Sequence, residues 1–105
     1  MTAYVVSMMR IDDPDTYRKY TDRTPPIVAK YGGKFLARGG DVTTIEGEPY
    51  QDRMVLLEFP SQQHVNDWLA DPDYQKAMVF RHASSVARIL MIEADDNTMD
   101  PDPKL

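Results

Sequence analysis

The chain contains no cysteine, which excludes thiol nucleophiles, disulfide frameworks and zinc–thiolate sites and suits a reducing compartment. Histidine is nearly as scarce. His64 and His82 are the only two, and neither belongs to a His-x-His or His-Glu-x-x-His pattern or to a carboxylate cluster, so no metal and no cofactor is expected. Long apolar runs are also missing: stretches such as Ile89 to Ile92 fall far short of the ~20 residues needed to span a bilayer. The segment from Met1 to Arg10 has no basic region ahead of an apolar stretch and no small-residue cleavage site, so a cytoplasmic protein away from membranes is expected. Gly39 and Gly40 fit neither a Gly-x-Gly-x-x-Gly nor a Gly-Lys-Ser/Thr phosphate loop. Ser61, Ser84 and Ser85 have no nucleophile-elbow context. Positive charge is in deficit, with 12 Lys and Arg against 17 Asp and Glu and a net charge of −5. Such a balance repels phosphate backbones and argues against nucleic acid as a partner.

What is present suffices for one folded unit. A chain of 105 residues and 12.0 kDa buries roughly 65% of its unfolded surface, enough for a single core without cross-links. The hydrophobic fraction of 42% and charged fraction of 28% are ordinary for a globular domain. The composition shifts at residue 95. Asp95, Asp96, Asp100 and Asp102 with Pro101 and Pro103 leave little to bury, so a domain over residues 1–94 and a loose acidic tail over 95–105 are expected.

Within the domain, Tyr4 to Ile11 is rich in β-branched and long apolar residues and reads as a strand stopped by Asp12-Asp13-Pro14. Asp13 is a natural N-cap with Pro14 at the first helical position, and Tyr17, Tyr20, Thr24, Ile27, Val28 and Tyr31 recur at helical spacing. Pro25-Pro26 cannot sit inside a continuous helix, so a break near Arg23-Thr24 is expected, with Thr24 capping a second segment that ends at Gly32-Gly33. Lys34 to Ile45 reads as a strand bent or bulged at Gly39-Gly40. Arg53 to Phe59 forms its hairpin partner. Ser61 then caps a short helix, and Asp71-Pro72 restarts it so that Tyr74, Ala77, Met78, Arg81 and His82 share one face. Val86 to Ile92 is the last strand.

The order βαββαβ is the α+β, ferredoxin-like layout, a four-stranded antiparallel sheet with helices packed on one face. A sheet face left to water alternates apolar with polar residues, yet Val5-Val6, Met8-Met9, Val55 to Leu57 and Ile89 to Ile92 are apolar at both parities. The chain has no spare element to cover that second face. A homodimer through the open sheet faces is therefore expected.

Asp13-Pro-Asp-Thr-Tyr17, Tyr31-Gly-Gly-Lys-Phe-Leu-Ala-Arg-Gly-Gly40, Glu46-Gly47, Arg53, Glu58-Phe-Pro-Ser61, Trp68, Asp71-Pro-Asp-Tyr-Gln75 and Arg81 together resemble, in order and spacing, the DUF1330 family, a domain of unknown function. The resemblance spans about residues 3 to 94. It implies the dimeric α/β-barrel superfamily, in agreement with the layout argued from pattern. Relatives by fold include cofactor-free quinone-forming monooxygenases, muconolactone isomerases, haem-degrading enzymes and ligand-sensing domains, so fold does not select a chemistry.

The residues that carry chemistry are few. Arg38, Arg53 and Arg81 draw attention because a guanidinium is costly to bury unpaired and binds carboxylate or enolate oxygens in a fixed fork. Glu46 and Glu58 are the counter-ions available within the monomer, and any arginine left without one becomes the anion anchor of a pocket. Glu58, in an apolar strand, and His82, beside Arg81, are the candidate proton carriers. A pocket between the sheet and the second helix is expected, anchored by Arg38 or Arg81 and walled by Trp68 and Tyr74. The residues support two readings of function. One is a cofactor-independent enzyme performing proton transfer or monooxygenation on a small anionic or phenolic molecule; the other is a non-catalytic ligand-binding or structural dimeric module.

Overall fold

Three helices of this protein begin where a side-chain oxygen accepts from free backbone N–H groups. In the computed structural model, which describes residues 1–94 and 101, eight elements succeed one another in chain order: β1 (Ala3–Ile11), α1 (Pro14–Thr21), α2 (Thr24–Lys30), β2 (Lys34–Arg38), β3 (Arg53–Phe59), α3 (Gln62–Ala70), α4 (Pro72–Ser84) and β4 (Ser85–Glu93). Except for Pro101, the acidic tail expected over 95–105 lies outside the described residues. Asp13 caps α1 by accepting from the Thr16 N–H, and Ser61 caps α3 by accepting from the His64 N–H. Replacing a serine cap such as Ser61 by alanine typically costs about 1 kcal/mol. Asp71 caps α4 through the N–H groups of Asp73 and Tyr74, with Pro72 at the start of the helix where its missing N–H costs nothing.

Both expected helix breaks occur. The first separates α1 from α2 around Asp22 and Arg23, although Thr24 is not the cap. It is the first residue of α2, buried, and its hydroxyl donates back to the Thr21 carbonyl. Pro25 and Pro26 fall in the first turn, where free N–H groups would have no partner in any case. The segment closes at Gly32, whose φ of +74° suits glycine.

The sheet has the order β2-β3-β1-β4, and all its pairings are antiparallel. Alternation along the strands sorts side chains onto two faces. Ala3, Val5, Ser7 and Met9 of β1 and Val55, Leu57 and Phe59 of β3 are buried towards the helices, where Val28, Val65, Trp68, Tyr74 and Ala77 complete the core. Burying a side chain such as Phe59, which exposes nothing, contributes about 1.5–3 kcal/mol. The opposite parity forms the other face. Val6 lies between Leu56 and Leu90, Met8 pairs with Met54, and Tyr4 lies between Glu58 and Ile92. Leu36, Val86, Leu90 and Ile92 are exposed, Ile92 by 63%.

The second strand is shorter than the sequence suggested. Pairing ends at Arg38 instead of Ile45, and residues 39–52 run outside the sheet to reach β3. Gly39, at φ +72°, turns the chain out after one last bond from its N–H to the Met54 carbonyl. A bulge lies upstream of the expected glycines, between Phe35 and Ala37. No helix among the described residues is long and apolar enough to cross a membrane.

Candidate functional site

Strand parity and one bulge assemble a pocket between the sheet and the helices. Val55 and Leu57 face the helices, and Arg53, two residues before Val55, faces the same way. Phe35 pairs with Leu57 and Arg38 pairs with Val55, so the extra residue in the bulge brings Arg38 onto the side Phe35 already occupies. From the helix layer, α4 presents Tyr74, Ala77, Arg81 and Ser84 inward, while α1 contributes Tyr17 and Tyr20. The cavity is tight, with about 30 Å³ of free space inside it and its outer part open to solvent, and is lined by Arg38, Arg53 and Arg81 together with Tyr17, Tyr20, Thr24, Val28, Phe35, Leu57 and Trp68. Tyr17, Thr21, Arg38 and Arg53 also line an outer groove beside Ile11 and Arg18, so the Arg38–Arg53 side is the mouth.

Aromatic rings hold the guanidinium groups. The Arg38 guanidinium carbon lies 4.4 Å from the Phe35 ring centroid, that of Arg81 5.6 Å from Tyr20, and that of Arg53 5.8 Å from Tyr17. Such cation–π contacts fix a charge without neutralising it. Arg38 Nη2 also donates to the Thr21 carbonyl at 3.0 Å. Among the described residues the ion pairs are Arg10–Asp12 and Lys30–Asp71, and neither involves the pocket. Arg81 is only 7% exposed, and its Nε and that of Arg53 are buried without a hydrogen-bond partner among the described residues. Among the described residues the lining includes no carboxylate.

The tyrosine hydroxyls remain protonated. Burial raises the Tyr20 phenol far above its ordinary range, and its hydroxyl shares a 2.9 Å hydrogen bond with that of Tyr74. Burial also raises Tyr17, against an opposing pull from the Arg53 guanidinium. The Tyr17 hydroxyl donates to the Met9 sulfur at 2.7 Å. Thus the pocket offers cations and N–H donors on apolar walls, a chemistry suited to an anion with a hydrophobic body.

Of the residues singled out from sequence, Arg38, Arg53, Trp68 and Arg81 meet in this pocket, and Tyr74 stands directly behind it, bonded to Tyr20. Glu58 and His82 do not join them. Glu58 shares the parity of Met54 and Leu56, so it lies on the sheet face away from the helices, between Tyr4 and Lys34 of the adjacent strands. His82 is exposed, because the residue after inward-facing Arg81 is rotated about 100° around α4. Glu46 is exposed and makes no ion pair among the described residues. Tyr17, Tyr20 and Phe35 also line the pocket, although the sequence shows the two tyrosines only as members of a helical stripe and Phe35 only as part of a strand. Their signal was the three-residue spacing of the two tyrosines facing an arginine-bearing strand. No group of three His, Asp or Glu side chains capable of holding a metal occurs among the described residues.

Known structures share this architecture. The protein RPA0582 of Rhodopseudomonas palustris, of unknown function, superposes with a TM-score of 0.74 at 21% identity, over 90% of this chain and 83% of that one. SnoaB, a cofactor-independent oxygenase from Streptomyces nogalater, gives 0.65 at 14% identity over 94% and 98% of the two chains. A dimeric ferredoxin-like protein of unknown function from Jannaschia sp. CCS1 gives 0.74 at 13% identity over 90% and 100%. Identities this low show a common fold alone. No curated protein matches the chain in sequence. The model of the family described as Domain of unknown function (DUF1330) matches residues 2–95, nearly the whole folded domain, and the chain therefore belongs to that family.

Proposed function

We propose that the protein is a homodimer, closed through the open faces of two sheets, that binds a small carboxylate, enolate or phenolate with an apolar body in the arginine pocket. The observation that carries this reading is the convergence of Arg38, Arg53 and Arg81 on one cavity whose lining, among the described residues, includes no carboxylate. Three guanidinium groups at close quarters repel one another, and a buried one without a counter-charge costs several kcal/mol on the order-of-magnitude scale for desolvated ions. An anion relieves both terms. The dimer is supported by the apolar second face and by neighbours of the same fold described as dimeric.

A second reading makes this site an enzyme, supported by the fold likeness to the cofactor-independent oxygenase SnoaB. Arginines around a phenol or enol lower its pKa, so the bound substrate stays deprotonated without a side-chain base. That suits the pocket, since neither Glu58 nor His82 lines it. Such an electron-rich ring reacts directly with dioxygen, one oxygen atom entering as a quinone carbonyl and the other leaving as water.

Calorimetric titration with benzoate and salicylate tests the binding reading. Binding by the wild-type chain that weakens at least tenfold in Arg81→Met, about the loss of one charge-assisted contact, supports it. No binding by the wild type, or equal binding by both proteins, overturns it. Oxygen consumption with a naphthol as substrate separates the enzyme from the binding module.

A further inference from the structure

The pocket lining includes a donor that the arginine chemistry leaves unused. Trp68 is the only tryptophan in the chain, is 2% exposed and lines the cavity. Its indole Nε1 is buried and has no hydrogen-bond partner among the described residues. The ring is held on two sides, with its centroid 5.1 Å from that of Phe59 and 4.5 Å from that of Tyr74. This clamping leaves the N–H little freedom to turn elsewhere. A phenylalanine would supply similar packing without a buried polar group; tryptophan suits a core only where its N–H finds an acceptor.

The relation of Trp68 to the arginines gives the ligand a shape. Tyr74 touches Trp68 and shares a hydrogen bond with Tyr20 at 2.9 Å, and the Tyr20 ring lies under the Arg81 guanidinium. The two tyrosines therefore stand between the indole and the cationic end. Phe59, which Trp68 stacks on, ends β3, whereas Arg53 begins it. The ring that Trp68 stacks on and the mouth arginine thus stand at opposite ends of one strand, with Val55 and Leu57 between them lining the wall.

We infer that Trp68 is a specificity donor: the ligand carries its anionic group at the arginine end and a neutral acceptor oxygen, a ketone, aldehyde or ring carbonyl, at the opposite end, where it takes the indole N–H. The inference rests on the anion-pocket reading and adds to it a second polar group on the ligand. A purely apolar inner end leaves the N–H unsatisfied and is selected against, as buried donors reject analogues that lack the matching acceptor.

The test compares 3- and 4-acetylbenzoate with 3- and 4-isopropenylbenzoate, which have nearly the same shape with the carbonyl oxygen replaced by a methylene group. The expected result is that at least one acetylbenzoate binds the wild-type protein about fivefold more tightly than its isopropenyl partner, and that Trp68→Phe abolishes the preference while retaining binding. In the nitrogen–proton correlation spectrum of the wild type, the single indole N–H signal is expected to move downfield with that acetylbenzoate and not with its partner. This measurement needs no variant and decides the matter should Trp68→Phe fail to fold. Equal binding of both members of each pair with an unmoved indole signal overturns the inference and leaves the anion pocket standing. A preference that survives in Trp68→Phe also overturns it. Absence of binding by all four benzoates overturns the anion pocket and this inference with it.

Discussion

Phe35 and Arg38 lie three residues apart on one strand yet face the same side of the sheet, with the guanidinium carbon 4.4 Å from the ring centroid. In a regular strand that spacing puts two side chains on opposite faces. The bulge after Phe35 absorbs one residue and reverses the parity of Ala37 and Arg38. One backbone irregularity therefore places a cation at the mouth of the pocket that would otherwise lie on the opposite face of the sheet.

Arg81→Met tests whether the arginines serve the ligand or the fold. Methionine preserves much of the aliphatic volume and removes a buried charge that has no ion-pair partner among the described residues, a change that is often neutral or stabilising. The melting temperature of the ligand-free variant is expected to equal or exceed that of the wild type, while its affinity for benzoate falls at least tenfold. Differential scanning calorimetry and titration together check this. A much lower melting temperature with unchanged affinity would assign Arg81 to the fold.

Gly39→Ala strikes the site from the backbone. Gly39 holds φ at +72°, and a Cβ there would fall on the Arg53 guanidinium. A loss of roughly 1 kcal/mol or more is expected from the left-handed backbone alone. Benzoate affinity should drop as well, because Arg53 must move. Urea unfolding alongside titration separates the two effects.

The carboxylate of Asp71 governs acid stability. Its side chain is 1% exposed and accepts from Tyr31 at 2.6 Å, from Lys30 at 3.0 Å and from the N–H groups of Asp73 and Tyr74. The Tyr31 hydroxyl bond, ahead of the Tyr74 N–H and the Lys30 ammonium, holds its pKa well below the usual carboxylate range. A depressed folded-state pKa contributes stability that is present above the ordinary carboxylate pKa and lost as the pH falls through the folded value. Asp71→Asn is therefore expected to melt lower than the wild type at pH 7, with the gap narrowing as the pH falls below about 4. Melting curves across that range check it, and a gap that widened on acidification would overturn the assignment.

Leu56→Lys addresses the dimer. Leu56 pairs with Val6 of β1 near the middle of the open face, so a lysine there meets apolar surface in a face-to-face assembly. Light scattering is expected to give about twice the 12.0 kDa chain mass for the wild type and the single-chain mass for the variant. A monomeric wild type would remove the homodimer from the proposed function.

Much of the fold was legible because its signals are local. Asp13, Ser61 and Asp71 sit before helices as caps, Pro25-Pro26 and Pro72 mark where helices restart, and β3 runs over Arg53–Phe59 as its apolar pattern predicts. The end of β2 was less legible. Residues up to Ile45 have strand-like composition, but a strand persists only where a neighbour offers hydrogen bonds, and pairing stops at Arg38. In the site, the shared parity of Glu58 with Met54 and Leu56 was already visible, and it excluded Glu58 from a pocket on the Val55 side. The inward face of α4 was harder to bound, since Arg81 and His82 differ by one step of rotation and only packing against the sheet selects between them.

By itself, the amino-acid sequence determined the order of elements, the breaks within both helical regions, the apolar character of both sheet faces and Arg38, Arg53 and Arg81 as candidate anchors. These depend on residue spacing over a few turns, which backbone geometry converts directly into structure. Only the tertiary structure decided that, among the described residues, Arg38, Arg53 and Arg81 converge on one cavity without a carboxylate, that Glu58 and His82 point elsewhere, and that the Trp68 N–H has no partner. Those outcomes depend on strand register, on one bulge and on the rotation at which a helix meets the sheet. All three are set by contacts between residues distant in the chain, and local periodicity contains no record of them.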